Sequence, residues 1–431
     1  MSIILIFTGL LLSFLILGVP VAFSIAATSI VSLIIKLGLP NLSFGMIAQM
    51  LIYGINNFPL LAVPLFLLAG TIMNSGGISR RIFDFAQRIV GSSRGGLAHV
   101  NIIASLIFSG MSGAAAADVA GLGPIELKAM KDAGYDDDFS CAVTGASSTI
   151  GPIIPPSVPM VLYGVLASVS VSKLFIGGII PGLLLAVTLM VLSAVISAIK
   201  GYPRGEAWNA MKILSSLKGA FFALLTPLII IGGIWTGVFT PTEAAAVTVV
   251  YSVLLGLFYQ ESSWQELFEN LKHAAVTASA IMFILAAATI YNAALARTQM
   301  PEMVIRAVSA VSENPFVVLI ILQFVLFIAG CFMSTAETIT LFTPLFIPML
   351  EQFGIDPLHF GVVMVLNLML GQLTPPFGIV LFVLSRVGNL DMARLVKACL
   401  PFYIPILVVL IALILFPPLV TYLPNLVFGN W

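Results

Sequence analysis

Apolar runs long enough to cross a lipid bilayer follow one another from one end of the chain to the other. A membrane-spanning helix needs about 20 consecutive apolar residues, and no polar stretch between the runs is large enough for a soluble domain. Of the 431 residues, 60% are hydrophobic and only 8% are charged, with a mean hydropathy of +1.14. The sequence therefore predicts an all-α polytopic membrane protein that forms one membrane unit in contact with lipid.

Charge, cysteine and histidine positions argue against several other classes of function. Lys plus Arg and Asp plus Glu each number 18, so the formal net charge is zero and nothing suggests a nucleic-acid partner. Cys141, Cys331 and Cys399 form no CxxC pair, and no His, Cys or carboxylate cluster has the spacing of a transition-metal site. No nucleophile and base are visible at membrane depth either, so the chain is not expected to be an enzyme. The N-terminus has no basic n-region or cleavage site and is expected to be a retained helix.

The two halves of the chain resemble each other. A shift of 220 residues superposes Gly151 on Gly371 and Pro155-Pro156 on Pro375-Pro376. The same shift superposes Pro124 on Pro344, Gly134 on Gly354, Asp136 on Asp356 and Pro181 on Pro401, and a small gap brings Met111-Ser112 onto Met333-Ser334. This collinear order predicts a first repeat over 1–200, a cytoplasmic linker over 201–219 and a second repeat over 220–425.

Counting membrane crossings predicts how the repeats are related. The expected elements of the first repeat are helices within 3–36, a helix at 48–74, an amphipathic interfacial arm at 76–96, a re-entrant hairpin at 97–131, a broken helix at 138–168 and a helix at 173–199. The second repeat has its hairpin at 316–350 and its broken helix at 358–386. Because the hairpin returns to its own side, the first repeat crosses five times, and the second repeat must be inverted, as in secondary transporters.

The distribution of Lys and Arg predicts the orientation. With both termini outside, fourteen of the 18 basic residues fall on the cytoplasmic side and four outside. Cytoplasmic loops of membrane proteins are enriched in Lys and Arg. We therefore expect both termini to be periplasmic.

Each repeat breaks a helix with a Gly and a Pro-Pro pair. The segments are SSTIGPIIPPS at 147–157 and NLMLGQLTPPF at 367–377. Proline has no N–H and obstructs the carbonyl four residues earlier. The pairs are therefore expected to free the carbonyls of Gly151 and Pro152 in the first repeat, and of Gly371 and Gln372 in the second.

Each break follows a hairpin whose tip carries polar residues. The tips are predicted at 109–114 and at Ser334-Thr335. Freed carbonyls at a half-helix end carry partial negative charge. Together with hydroxyls of Ser112, Ser334 and Thr335 they form an all-oxygen nest that suits Na⁺. The competing interpretation is that Gly and Pro only kink these helices for packing.

Three carboxylates lie within the apolar sequence: Asp118, Glu337 and Glu243. Carboxylates at membrane depth are candidates for function. Glu243 follows Thr240 in TPTE, which favours helix capping over a proton relay. For Asp118 and Glu337, stabilisation of a helix N-terminus and a role in ion or substrate binding both stay open.

The chain resembles the large membrane subunit of the tripartite ATP-independent periplasmic (TRAP) transporters, within the wider ion transporter superfamily. The resemblance is carried by LLAVPLFLLAGTIM at 60–73, RGGLAHVNIIASLIFSGMSGAAAADVAGLG at 94–123, GYDDDFSCAVTGASSTIGPIIPPS at 134–157, GVFTPTEAAAV at 237–247 and GQLTPPFG at 371–378. It implies Na⁺-coupled symport in the bacterial cytoplasmic (inner) membrane by an elevator mechanism, in which a transport domain moves against a scaffold. It also implies a small membrane subunit and a periplasmic substrate-binding protein that delivers an organic acid, commonly a carboxylate.

The resemblance also places sites by position. One Na⁺ site is expected between the Ser112 tip and the break at Gly151, and the other between Ser334-Thr335 and the break at Gly371–Thr374. The predicted Na⁺ ligands are thus Ser112, Gly151, Pro152, Ser334, Thr335, Gly371, Gln372 and Thr374. Ser147, Ser148 and Asn367 are candidates for substrate contact. The alternative is a stand-alone H⁺- or Na⁺-coupled carboxylate carrier of related fold without a binding protein.

Overall fold

A computed structural model describes residues 2–75, 77–205 and 209–429, apart from the side chains of 2–5 and 112. Residue 76 of the predicted arm and residues 206–208 of the predicted linker lie outside these ranges. Within them, seven helical segments are long and apolar enough to cross a membrane. They are Phe58–Ser75, Val171–Lys200, Ala210–Trp235, Pro241–Phe258, Trp264–Thr298, Pro315–Phe332 and Met392–Leu415. The predicted all-α polytopic fold is confirmed.

The first half of the chain forms eleven α-helices over its described residues. They are α1 (Ser2–Ile16), α2 (Val21–Leu37), α3 (Phe44–Ile55), α4 (Ala62–Ser75), α5 (Ile78–Val90), α6 (Gly96–Ser112), α7 (Ala115–Gly121), α8 (Gly123–Asp132), α9 (Asp137–Ser148), α10 (Val158–Ala167) and α11 (Val171–Lys200). The segment predicted as the first hairpin is α6 to α8, and the segment predicted as a broken helix is α9 and α10.

Over the described residues 209–429, the second half forms ten more α-helices. They are α12 (Ala210–Trp235), α13 (Pro241–Phe258), α14 (Trp264–Thr298), α15 (Met300–Ser309), α16 (Pro315–Phe332), α17 (Thr335–Phe353), α18 (Pro357–Gln372), α19 (Ile379–Gly388), α20 (Met392–Leu415) and α21 (Pro418–Phe428). Here α16 and α17 form the hairpin, and α18 and α19 are the two parts of the broken helix. Each half thus has a hairpin that turns at a short break, followed by a helix with a longer break. In the first half the returning arm of the hairpin is itself divided into α7 and α8.

The prediction of one helix at 48–74 is wrong. The structure has α3 and α4 there, separated by Asn56 and Asn57 and by a 3-10 turn over Phe58–Leu61. Asn57 is extended, with φ −135° and ψ 123°, and Pro59 has no amide hydrogen to continue the helical ladder. α3 also begins earlier than predicted, because the Ser43 hydroxyl accepts a hydrogen bond from the Met46 amide at 3.1 Å.

The first parts of both broken helices are enclosed on every side. All residues from Phe139 to Ser148 in α9 and from Leu358 to Gln372 in α18 are buried. α9 packs against α6, α8 and α20, and α18 packs against α16, α10 and α20. The helical parts that lead into the two breaks therefore lie in the protein interior. The first break, 149–157, is buried as well, whereas residues 375–377 at the second break are exposed.

A second group of helices surrounds the long α14. The helices α2, α3 and α4 pack against α14, and α13 packs against α4 and α12. The amphipathic α5 lies between the groups, because it contacts both α12 and α6. Arg81 of α5 is paired with Glu261 at 2.7 Å and lies 4.0 Å from the ring centroid of Tyr259. α5 is thus attached to both helix groups.

Ion pairs at the start of α9 tie it to two other helices. The Asp136 carboxylate accepts hydrogen bonds from Lys200 at 2.6 Å and from the Tyr202 hydroxyl at 2.8 Å. Arg394, on α20, pairs with Asp138 at 2.6 Å. The Lys200 and Tyr202 hydrogen bonds hold the pKa of Asp136 below its ordinary value.

Candidate functional site

The tip of the second hairpin is fixed by a reciprocal cap. The Ser334 hydroxyl accepts a hydrogen bond from the Glu337 amide at 3.4 Å, and the Glu337 carboxylate accepts one from the Ser334 amide at 2.8 Å. Together these bonds form a capping box at the start of α17. Of the two interpretations of Glu337, the structure thus shows the helix-stabilising one. Thr240 and Glu243 form the same box at the start of α13, which confirms the expectation for Glu243.

This tip is seated directly on the second helix break. The Phe377 amide donates to the Cys331 carbonyl at 3.0 Å, and the Gln372 side-chain amide donates to the Thr335 hydroxyl. Gly371 lies against the backbone of Gly330, where an added Cβ would fall 2.7 Å from the Gly330 carbonyl carbon. Glycine is needed for such a close backbone approach. The structure therefore brings the predicted residues Thr335, Gly371 and Gln372 together.

The Gly371 carbonyl is engaged, contrary to the simple proline argument. It accepts a hydrogen bond from the Thr374 amide at 2.9 Å, while the Thr374 hydroxyl donates to Leu370 at 2.8 Å. The reason is that the chain turns tightly after Gln372, so an amide three residues ahead replaces the one that Pro375 lacks. A carbonyl oxygen has two lone pairs, so this bond alone does not exclude Gly371 as a ligand.

The tip of the first hairpin is seated on the first break in the same way. Gly113 adopts a left-handed φ of 62°, and an added Cβ would fall 2.6 Å from the Pro156 carbonyl oxygen. An added Cβ at Gly151 would fall 3.7 Å from the Ala114 carbonyl carbon. Ser112, the predicted ligand at this tip, ends α6, but its side chain lies outside the described residues. Both predicted tip-and-break pairs are therefore in contact.

The two carbonyls predicted to be free at the first break behave differently. The Pro152 carbonyl accepts a hydrogen bond from the Ser157 hydroxyl, which also caps α10 by accepting from the Met160 amide at 3.2 Å. The expectation of a free Pro152 carbonyl is thus wrong, because the capping serine reaches back to it. Among the described residues, no backbone or side-chain hydrogen bond ends on the Gly151 carbonyl, as the proline pattern predicts.

The predicted substrate residues are buried and hydrogen-bonded to neighbours. Ser147 donates to the Asn101 side-chain oxygen at 2.6 Å, and Asn367 donates to the Gln323 side-chain oxygen at 2.8 Å. Ser148 donates to the Gly145 carbonyl at 2.8 Å. In this conformation Ser147 and Asn367 join neighbouring helices, whereas the Ser148 bond stays within α9. Their contact with substrate stays a prediction.

No role for Asn101 or Gln323 was predicted from the sequence, although the two residues occupy corresponding positions in the repeats. A shift of 222 residues, the one that relates Met111 to Met333, takes Asn101 to Gln323, and the shift of 220 takes Ser147 to Asn367. Each half therefore has one amide side chain on the first hairpin helix bonded to a polar residue just before the break.

Two buried carboxylates lie beside the first of these links. Glu126, which was also missed, accepts a hydrogen bond from Asn101 at 2.8 Å and is 1% exposed. Asp118 is also 1% exposed, and neither of its carboxylate oxygens has a hydrogen-bond partner in the described part of the chain. Its position in the first turn of α7 therefore brings no capping bond to its side chain.

A polytopic helical protein with two hairpin tips seated on two broken helices has the architecture of a secondary transporter. The family model for the tripartite ATP-independent periplasmic transporter, DctM component, matches residues 8–419, and the chain belongs to this family. The resemblance to the large membrane subunit of TRAP transporters, seen in the sequence motifs, is thus confirmed.

Relatives and a solved structure agree with this family. The chain is 44% identical to the sialic acid TRAP transporter large permease protein SiaM of Vibrio cholerae, with 96% of each chain covered. It is 45% identical over 88% of its length to the sialic acid TRAP transporter permease protein SiaT of Haemophilus influenzae, and spans 62% of that longer relative. The crystal structure of the Alcanivorax borkumensis YdaH transporter has a TM-score of 0.68 at 14% identity, with 95% of this chain and 98% of that chain covered. This last likeness concerns the fold alone.

Proposed function

We propose that the chain is the membrane subunit that carries an organic acid into the cell together with Na⁺. The main support is the seating of each hairpin tip on a broken helix whose first part is buried in the protein interior. The first place offers the Gly151 carbonyl oxygen, and the second offers the Thr335 hydroxyl and the Gly371 carbonyl. Oxygen-only sets beside half-helix ends suit a small hard cation.

The substrate is proposed to be a carboxylate, and sialic acid is the first candidate. Both relatives compared above are named as sialic acid transporters, and sialic acid is itself a carboxylate. The family is tripartite by name. A periplasmic binding protein would deliver the acid, and a small membrane subunit would complete the transporter in the cytoplasmic membrane. Both termini of this chain would then be periplasmic.

The proposed mechanism is that of an elevator. Helices α6–α10 and α16–α19 contain both tip-and-break pairs and would move as one body. The group around α14 would stay fixed, and α5, which contacts α12 and α6, would link the two. Binding of Na⁺ at the seated tips would close them over the acid before the body moves. Charge neutralisation of the carboxylate by Na⁺ lowers the cost of crossing the apolar layer.

The decisive experiment is uptake by proteoliposomes that contain this chain, its small subunit and its binding protein. Uptake of labelled sialic acid should require an inward Na⁺ gradient and the binding protein together. A panel of other labelled organic acids tests the substrate separately from the coupling. Full uptake in Na⁺-free buffer would contradict the symport, and full uptake without the binding protein would favour a stand-alone carrier.

A further inference from the structure

A buried polar network links Glu126 on α8 to the first hairpin helix, α6, and to α9. Asn101 donates to Glu126 at 2.8 Å and lies 2.6 Å from the Thr144 hydroxyl. Ser147 donates to the Asn101 oxygen at 2.6 Å and lies 3.1 Å from the Ser105 hydroxyl. Each of these residues is at most 2% exposed. The network joins α6, α8 and α9 in the protein interior.

Asp118 faces this network at the Ser105 hydroxyl, and its charge acts on Glu126. Neither Asp118 oxygen nor Oε1 of Glu126 has a hydrogen-bond partner among the described residues. The other titratable or charged side chains on the helices that pack against α7 and α8 are Arg80, Arg81, Asp84, Arg88, His99, Lys128, Lys131, Asp132, Asp137, Asp138, Cys141 and Arg386.

Two carboxylates cannot both stay charged in such a place. Burial of an unpaired charge is far costlier than burial of a neutral group, and two like charges repel. Protonation removes the charge and adds an O–H donor, which is the group that the three unpartnered oxygens lack. Asn101 turns its NH₂ group toward Glu126 and Thr144, and its oxygen is already taken by Ser147. Asn101 therefore offers no free oxygen ligand to a metal cation.

We propose that Asp118 and Glu126 form a proton-binding site within helices α6–α10, separate from the two tip-and-break sites. The second repeat has no counterpart, since Thr338 or Thr340 falls at the position of Asp118, and Phe346 at that of Glu126. The site is joined through Asn101 to Ser147, the residue before Ser148 at the end of α9. If the chain is a Na⁺ symporter as proposed, this site gives uptake a pH dependence that is distinct from its Na⁺ dependence.

The test measures stability against pH, which needs neither substrate nor transport. The full-length chain is purified from membranes with any subunit that accompanies it, and its thermal unfolding is followed from pH 5 to pH 9. A proton held by the native pair and released on unfolding lowers stability as pH rises, by about tenfold in the folding equilibrium per pH unit for each proton. Asp118→Asn and Glu126→Gln keep the shape and remove the proton, so both should flatten this slope. Asp132→Asn, an exposed carboxylate at the end of α8, is the matched control and should keep it.

The outcomes separate the possible occupants of the site. An unchanged pH slope in both variants would overturn the proposal, and one folded variant is enough for the comparison. If Na⁺ stabilises the parent chain but neither variant, while the pH slope is the same in all, the site binds Na⁺ and the proton assignment fails. A protein with the expected slopes that transports without Na⁺ would refute the proposed symport and leave the proton site standing.

Discussion

Gly371 lies against the backbone of Gly330, so no side chain fits between the second hairpin tip and its break. The polar atoms at this contact are therefore backbone groups and the few side chains that reach in from the sides. Thr335 and Gln372 are two of these, and they are bonded to each other. Ser334 is a third, and it already serves as the cap of α17.

Ser334→Ala should separate the capping role from a role in Na⁺ binding. Loss of a serine cap costs about 0.5–2 kcal/mol of stability. Ser263 forms the same capping box at the start of α14, in the other helix group, so Ser263→Ala is the matched control. Both variants should lose similar stability in thermal unfolding, but only Ser334→Ala should need more Na⁺ for half-maximal uptake. Equal Na⁺ responses would remove Ser334 from the proposed site.

Individual residues show which features of the site could be predicted from the sequence and which could not. The Gly and Pro-Pro pattern located both breaks, because the loss of an amide hydrogen is a local property. The occupancy of the Pro152 and Gly371 carbonyls could not be predicted, because Ser157 and Thr374 reach them only after the chain has turned. Glu126 was missed because GPIELKAMKD, with its two lysines, looks like the exposed end of a helix.

At the scale of elements, the two hairpins are joined to their broken helices by related side-chain links. In each half, one polar residue just before the break bonds to an amide residue on the preceding hairpin helix. These links add to the apolar packing of α9 and α18 and fix the sliding and rotation of one helix against the other. A buried polar pair is most costly when only one partner is removed.

The Gln323 and Asn367 pair should therefore show strong coupling. Asn367→Leu alone leaves the Gln323 side chain without its partner and should cost about 1–3 kcal/mol of stability. Adding Gln323→Met should restore most of this loss, because this contact then holds no polar side chain that has lost its partner. The exposed Gln352 supplies a control, since Gln352→Met should simply add to Asn367→Leu. A double-mutant cycle on thermal stability measures the difference, and strict additivity for Gln323 would contradict the link.

Element boundaries could be predicted where an apolar run ended in polar tip residues or in a Pro-Pro pair. The hairpin breaks fall at or beside the polar tips, and the Pro-Pro segments separate α9 from α10 and α18 from α19. The division of 48–74 into α3 and α4 was not predicted, because Asn56 and Asn57 are short polar residues within an otherwise continuous apolar run. Their effect depends on the Pro59 turn that follows.

At the scale of the whole molecule, hydropathy was sufficient for the fold class, and the repeat predicted which segments would meet. Packing between distant helices carries no comparable local signal. The Lys200 and Asp136 pair illustrates this, since it joins the end of α11 to the start of α9 across 64 residues of chain.

Lys200→Met should remove the ion pair between α11 and α9 and lower stability in a pH-dependent way. Asp136 has a lowered folded-state pKa, so its contribution to stability is present above the ordinary value of about 3.9 and is lost as pH falls through the lowered value. Because the side chains are 42% and 55% exposed, the variant should lose less than about 1 kcal/mol at neutral pH. Its acid unfolding should begin at a higher pH than in the parent.

Thermal unfolding between pH 3 and pH 7 checks this. Lys131→Met is the matched control, because Lys131 is 71% exposed and lies 3.9 Å from Asp137. Lys131→Met should leave the pH of acid unfolding unchanged. A Lys200→Met profile that coincides with that control would show that the Asp136 contact contributes nothing.

The three cysteines are buried, and one of them lies at a tip-and-break contact. The Cys331 carbonyl accepts a hydrogen bond from the Phe377 amide where the second hairpin meets its break, and Cys331 is 6% exposed, while Cys141 on α9 and Cys399 on α20 are each 1% exposed. A thiol-alkylating reagent should therefore react slowly with all three. If the second tip lifts, as the proposed mechanism requires, Cys331 should become reactive while the other two stay shielded, so the unmodified chain would carry its own chemical reporter of hairpin opening, with two internal references.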